Sequence, residues 1–184
     1  MRREYASNIY MCRNLVLMPG MLEKGVKIKD AQVLKGQPYD YLMWIDSDAV
    51  FKPEHLWMLV KHDVDIASGQ AIINFQERKL NWGMNGSAGT CDFAHKDMLE
   101  IYERDAKGLV SVDFVGFHWM LVKHGVFEKL DYPWFSPVTK KVGENIYYPS
   151  EDIGWCMKAK EAGFKIMVDT DCKIGHEKQL VMPS

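Results

Sequence analysis

Short apolar runs alternate along the chain with amphipathic stretches, and this alternation predicts strands and helices in turn. The most sharply bounded run, Tyr41-Leu42-Met43-Trp44-Ile45, stops on Asp46-Ser47-Asp48. It reads as a buried strand that ends in two carboxylates one residue apart. Before it, Ala6 to Met18 predicts a helix halted by Pro19-Gly20. After it, Pro53 to His62 predicts a helix with proline in its first turn and Leu56, Leu59 and Val60 on one face. Asp65 to Ile73 predicts a second strand.

From Asn74 to Cys91 the sequence turns polar and glycine-containing, a composition that predicts a long loop. Leu109 to Phe114 and Phe117 to Val122 predict strands around Gly116, followed by a short helix at Lys123 to Leu130. The stretch from Asp131 to Tyr148 reads as another loop. Ser150 is placed to cap a helix running to Ala162 and stopping at Gly163, with Ile153, Cys156, Met157 and Lys160 along one side. A last strand, Lys165 to Val168, leads towards Ile174-Gly175-His176. With no linker-grade tract and no internal repeat, the pattern predicts one α/β domain over residues 1–184.

Composition narrows the function classes without naming one. The chain is 47% hydrophobic and 26% charged, an ordinary globular balance. A formal net charge of -2 with scattered Lys and Arg supplies no field for a polyanion, which argues against nucleic acid as a partner. Cys12, Cys91, Cys156 and Cys172 form no CxxC pair, so reduced thiols are expected rather than structural zinc. No apolar stretch approaches the roughly 20 residues of a membrane span, and Met1-Arg2-Arg3 precedes polar residues rather than a signal core. A cytoplasmic protein is expected.

The chemistry concentrates in three places. Asp46 and Asp48 at a strand end are suited to hold one hard cation, Mn²⁺ or Mg²⁺, whose shell is completed by water and phosphate oxygens. Acids after a strand also serve simply to start a turn. Glu151 and Asp152 follow Ser150 in a first helical turn, where carboxylates complement the helix dipole. The same position fixes a carboxylate that could take a proton from a hydroxyl, and helix-start donors are expected to lower its pKa. His176 closes the last strand, and imidazole is an acceptable Mn²⁺ ligand beside carboxylates, although it suits zinc better.

Taken together, the order of these pieces resembles the GT-A glycosyltransferases, in particular small family-2-like enzymes of bacteria and viruses. The matching residues are Trp44-Ile45-Asp46-Ser47-Asp48 with Phe51-Lys52-Pro53-Glu54-His55-Leu56, Val115-Gly116 with Met120-Leu121-Val122, Phe127-Glu128-Lys129-Leu130, Ser150-Glu151-Asp152-Ile153 through Ala162-Gly163-Phe164-Lys165, and Ile174-Gly175-His176. They span roughly residues 8 to 178.

The resemblance implies an α/β/α sandwich with a mixed, mostly parallel central sheet. It implies metal-dependent transfer of a sugar from a nucleotide-diphospho-sugar to an acceptor hydroxyl, with inversion. Asp48 and His176 would be metal ligands, and Asp46 a ligand, outer-shell group or ribose partner. Asp152 would be the general base and Glu151 would orient the acceptor. Gly116 would line the sugar or acceptor pocket, and Arg13, followed by Asn14, would reach the diphosphate or base. Trp134 and Phe135 could stack on a sugar face, or anchor their loop in the core.

Two departures accompany the resemblance. Only 45 residues precede Asp46 and they open on a helix, so the family's first, nucleotide-gripping strand is expected to be missing, through truncation, a minimal variant or a partner that completes the edge. His118 and Trp119 are bulkier than the residues that follow this glycine in related sequences. An inactive GT-A-like module that binds sugar or protein is the alternative function, and a sugar nucleotidyltransferase a further one.

Overall fold

The computed structural model describes residues 8–18, 30–74, 79–83, 107–142 and 144–177. The expectations for Ala6, Ser7, Pro19-Gly20, Cys91, most of the loop before Cys91 and a missing first strand fall wholly or partly outside these residues.

Eleven strands and four α-helices are described. In chain order they are α1 (Ile9–Leu17), β1 (Tyr41–Ile45), β2 (Ala49–Val50), α2 (Pro53–Val60), β3 (Ile66–Asn74), β4 (Lys79–Leu80), β5 (Trp82–Gly83), β6 (Leu109–Val112), β7 (Phe114–Val115), β8 (Trp119–Lys123), α3 (Val126–Lys129), β9 (Lys140–Val142), β10 (Asn145–Tyr147), α4 (Glu151–Glu161) and β11 (Ile166–His176).

Strand order in the main sheet is β1-β8-β3-β11-β2, with β4 added to β3 and β6 to β11. Among the described residues only β3 and β11 pair in parallel, and the other pairings are antiparallel. The sheet is mixed as expected, but the expectation of a mostly parallel one is corrected. The physical reason lies in β8. It inserts between β1 and β3 and runs against both, so β1, β3 and β11 share a direction although β1 and β3 are not neighbours. Alternating strands and helices predict crossovers between co-directional strands, and a later strand slipping between two of them leaves no mark on that alternation.

The sheet has a core on each face. Leu42, Trp44, Ile66, Met120, Val122, Ile166 and Val168 pack with α1, α3 and α4 on one side. Met43, Ala67, Ala71, Trp119, Leu121, Cys172 and Ile174 pack with α2 on the other. Strand alternation produces this split directly in β1 and β8. In β11 it does not. Asp169 pairs with Gly69 and Lys173 with Gln70, so three residues bulge out. An odd insertion turns the even-numbered side chains to the opposite face, which is why Val168 and Cys172 belong to different cores.

The helix boundaries follow their local chemistry. Asn8 accepts from the Tyr10 and Met11 amides and starts α1. Pro53 opens α2. Gly163, at φ +90°, ends α4 as expected, with its amide on the Lys160 carbonyl. Two local expectations are corrected. Ser150 does not cap α4 through its side chain but donates its hydroxyl to Asp152. Lys160 is exposed, and the buried side of α4 is Ile153, Gly154, Trp155, Cys156 and Ala159. The stretch expected to be loop before Tyr148 contains the β9–β10 pair. No helix among the described residues is long and apolar enough to cross a membrane.

Candidate metal and acid site

Three strand ends build the site. The turn after β1 carries Asp46 and Asp48, and two pairings fix it. On one side the β1–β8 ladder continues past Ile45 and Trp119, with the Asp46 amide donating to the His118 carbonyl at 3.1 Å. On the other, β2 lies against the end of β11, with His176 opposite Ala49 and Gly175 opposite Val50, and the Glu177 amide donates to the Asp48 carbonyl at 2.8 Å. Backbone pairing therefore brings His118 and His176 to the two acids. In sheets with co-directional strands, ligands gather at their carboxyl ends. Asp46, Asp48 and His176 stand at the carboxyl ends of β1 and β11, two strands with that common direction.

His176 Nε2 is 2.7 Å from Asp48 Oδ2. His118 Nδ1 is 3.7 Å from Asp48 Oδ1 and 3.8 Å from Asp46 Oδ2, and the two imidazole centroids are 4.5 Å apart. One donor atom from each of Asp48, His118 and His176 lies within 4.8 Å of the others. Asp46 stands outside this group of three. His118 is only 4% exposed, and its Nδ1 is buried without a hydrogen-bond partner. A buried, orphaned nitrogen facing two carboxylates fits a cation between them. Of the expected ligands Asp46, Asp48 and His176, the group that could hold a metal ion keeps two and adds His118.

The electrostatics tie the acids to their basic neighbours. Burial works against charge on Asp46, yet His118 and Arg13 outweigh it and hold the carboxyl below its usual range. Burial likewise opposes charge on His118, but Asp46, the Gly175 carbonyl and Asp48 push its pKa up.

The second acid pair adjoins the first through Arg13. Its guanidinium lies 4.6 Å over the Phe117 ring, donates to Glu151 Oε1 at 3.2 Å and stands 3.9 Å from Asp46 Oδ1. Arg13, expected to reach the diphosphate or base, is 8% exposed and bridges the two acid groups. Asn14 clamps the neighbouring loop, donating to the Phe135 carbonyl and accepting from its amide.

Asp152 Oδ1 accepts from the Ser150 hydroxyl and from the Ile153 amide at 2.8 Å. Its Oδ2 lies 3.3 Å from where a Cβ on Gly116 would stand. The Gly116 amide donates to the Asn81 carbonyl at 2.6 Å, and the Asn81 side chain bridges Gly69 and Ala71 of β3. Asp152 thus packs against the bare backbone of Gly116, where a Cβ would crowd it. Burial raises the Asp152 pKa, with the neighbouring Glu151 adding to it, against the pull of Ser150, Ile153 and Arg13. The expected lowering is corrected: desolvation exceeds the effect of the helix-start donors.

Trp134 is 3% exposed and its indole N–H donates to the Phe127 carbonyl at 2.9 Å. It helps line a separate cleft of about 750 Å³ with Val33, Phe127 and Tyr132, where none of the site's acids lies. Phe135 is also buried, edge-on to Trp44 and Phe117 and stacked with Trp155. Both anchor their loop. In the sequence His118 stands out only for its bulk after Gly116, not as a ligand, and Asn81 is given no role. The only signal for a ligand at His118 was a polar residue inside the apolar run Phe117 to Val122. Asn81 lay within a stretch read as loop.

No protein-family model and no curated protein matches the chain. Among solved structures, the chain is similar to A197 from STIV at a TM-score of 0.50 and 13% identity, over 97% of this chain and 81% of that one. Identity this low speaks to the fold alone.

Proposed function

We propose that this chain is a metal-dependent glycosyltransferase of the GT-A type, moving a sugar from a nucleotide-diphospho-sugar to an acceptor hydroxyl with inversion. One observation carries the reading. The acids after β1, the histidine ending β11 and the acids opening α4 adjoin one another, joined by the Arg13 bridge, with Asp152 packed on Gly116. A divalent ion held by Asp48, His118 and His176 would supply positive charge to the diphosphate leaving group. Asp46, beside that group and held ionised, is free to contact ribose or a water of the shell. Asp152 keeps Oδ2 towards Gly116, and a raised pKa makes it the stronger base once ionised. Glu151, tied to Arg13, orients the acceptor.

The test is nucleoside-diphosphate release from UDP- and GDP-sugars with Mn²⁺, alongside calorimetric donor binding. Asp152→Asn is expected to keep donor affinity and lose transfer by about 10²- to 10⁴-fold. Full turnover in that variant would remove the base role, and donor binding indifferent to Asp48→Ala would remove the metal role. Donor binding without release under any metal would leave a GT-A-like binding module.

A further inference from the structure

We propose that Asp48, His118 and His176 form a two-imidazole, one-carboxylate centre that selects Co²⁺- and Zn²⁺-like cations over Mg²⁺, with His118 Nδ1 and His176 Nε2 as the nitrogen donors. The inference rests on the same cation site as the proposed function, but not on the transfer chemistry.

The argument begins at the far side of each ring. His118 Nε2 faces the Gly175 carbonyl at 3.1 Å. A carbonyl only accepts, so Nε2 carries a hydrogen and the neutral ring has its lone pair on Nδ1. That lone pair is aimed at the acids, buried and without a hydrogen-bond partner, because 3.7 and 3.8 Å exceed hydrogen-bond reach. His176 shares the outer contact to a carbonyl, but its inner nitrogen is already paired with an acid. Its Nδ1 faces the Ile72 carbonyl at 3.4 Å and its Nε2 meets Asp48 at 2.7 Å. A ring whose outer nitrogen is turned to a backbone carbonyl while the inner one enters the site is the usual setting of a metal-ligating histidine. The carbonyls belong to β11 and β3, so the ring orientations are set by the sheet.

The donor set then decides the cation. Mg²⁺ seeks an octahedron of oxygens, and two imidazoles among three protein donors do not serve it. Imidazole favours the later first-row ions, and three protein donors leave positions open for phosphate oxygens or water.

The experiment titrates the full chain with CoCl₂, ZnCl₂ and MgCl₂ by calorimetry, follows the Co²⁺ visible bands, and records the proton spectrum of the Co²⁺ form. The expected result is Co²⁺ affinity at least 100-fold above that for Mg²⁺, with two solvent-exchangeable, strongly shifted ring N–H signals. His118→Ala is expected to weaken Co²⁺ at least tenfold and to leave one such signal. Equal affinity for Co²⁺ and Mg²⁺, or a single shifted N–H in the unaltered protein, would overturn the assignment and leave His118 as a counter-ion of the acids. Should His118→Ala not fold, the signal count in the unaltered protein still decides. Selective Co²⁺ binding without sugar transfer would leave this centre standing and the proposed function fallen. Transfer supported equally by Mg²⁺ and Co²⁺ would do the reverse.

Discussion

Asp152 occupies the first turn of α4 with Oδ1 held by Ser150 and the Ile153 amide and Oδ2 left towards Gly116. Its raised pKa has a consequence for stability whose sign can be worked out. The folded carboxyl binds its proton more tightly than the unfolded one, at the ordinary value of 3.8. Between that value and the folded pKa the native state holds more protons, so this group's contribution falls as pH rises through that window and is level above it. Asparagine preserves an acceptor for both donors and carries no charge. Asp152→Asn should therefore resist urea better than the unaltered protein at pH 7, with the gap closing as pH falls towards 4. A gap that is absent or reversed at pH 7 would show that the charge is solvated. The acids and His176 were legible as residues because each sits where a strand or helix begins or ends. His118 was not, since a histidine within an apolar run reads as strand interior.

At the scale of elements, the site depends on β2 closing against the end of β11, and that closure depends on Gly175. A Cβ there would stand 2.9 Å from Val50 Cβ and 3.3 Å from the Val50 carbonyl oxygen. Backbone and Cβ cannot swing aside as a side-chain tip can, so a methyl group must move β2 away. Gly175→Ala is expected to cost about 1–3 kcal/mol, the usual range for overpacking, and to weaken Co²⁺ binding severalfold by separating Asp48 from His176. Urea midpoints and calorimetry read the two effects, and full cation affinity in this variant would mean that β2 does not set the Asp48 position. Most elements were legible here, including β1, α2, β3 and the Gly163 stop, because each has period and punctuation of its own. The continuity of β11 was not. Asp169 to Lys173 breaks the alternation, and a bulge inside one strand reads in sequence as a gap between two. The direction of the sheet was hidden for a related reason, since the place of β8 between β1 and β3 is settled by packing of both its faces rather than by anything in its own residues.

Across the whole molecule, the cation would join parts of the chain that are remote in sequence. Asp48 follows β1, His118 precedes β8 and His176 ends β11, and these strands all belong to the one main sheet. An unfolded chain does not bring the three together, so binding to the native state should add directly to global stability. With free cation at 100 times its dissociation constant the linkage is worth about 2.7 kcal/mol. For a chain of this size each kcal/mol shifts the melting temperature by about 2–4 °C, which gives a rise of about 5–10 °C. The rise should keep growing with the logarithm of cation concentration and vanish in Asp48→Ala. Differential scanning calorimetry of the unaltered protein over a Co²⁺ series, with the variant alongside, checks both. A melting temperature that stays put while calorimetric titration reports binding would mean that the ion binds the unfolded chain as tightly as the native one, and would separate it from the three strand ends.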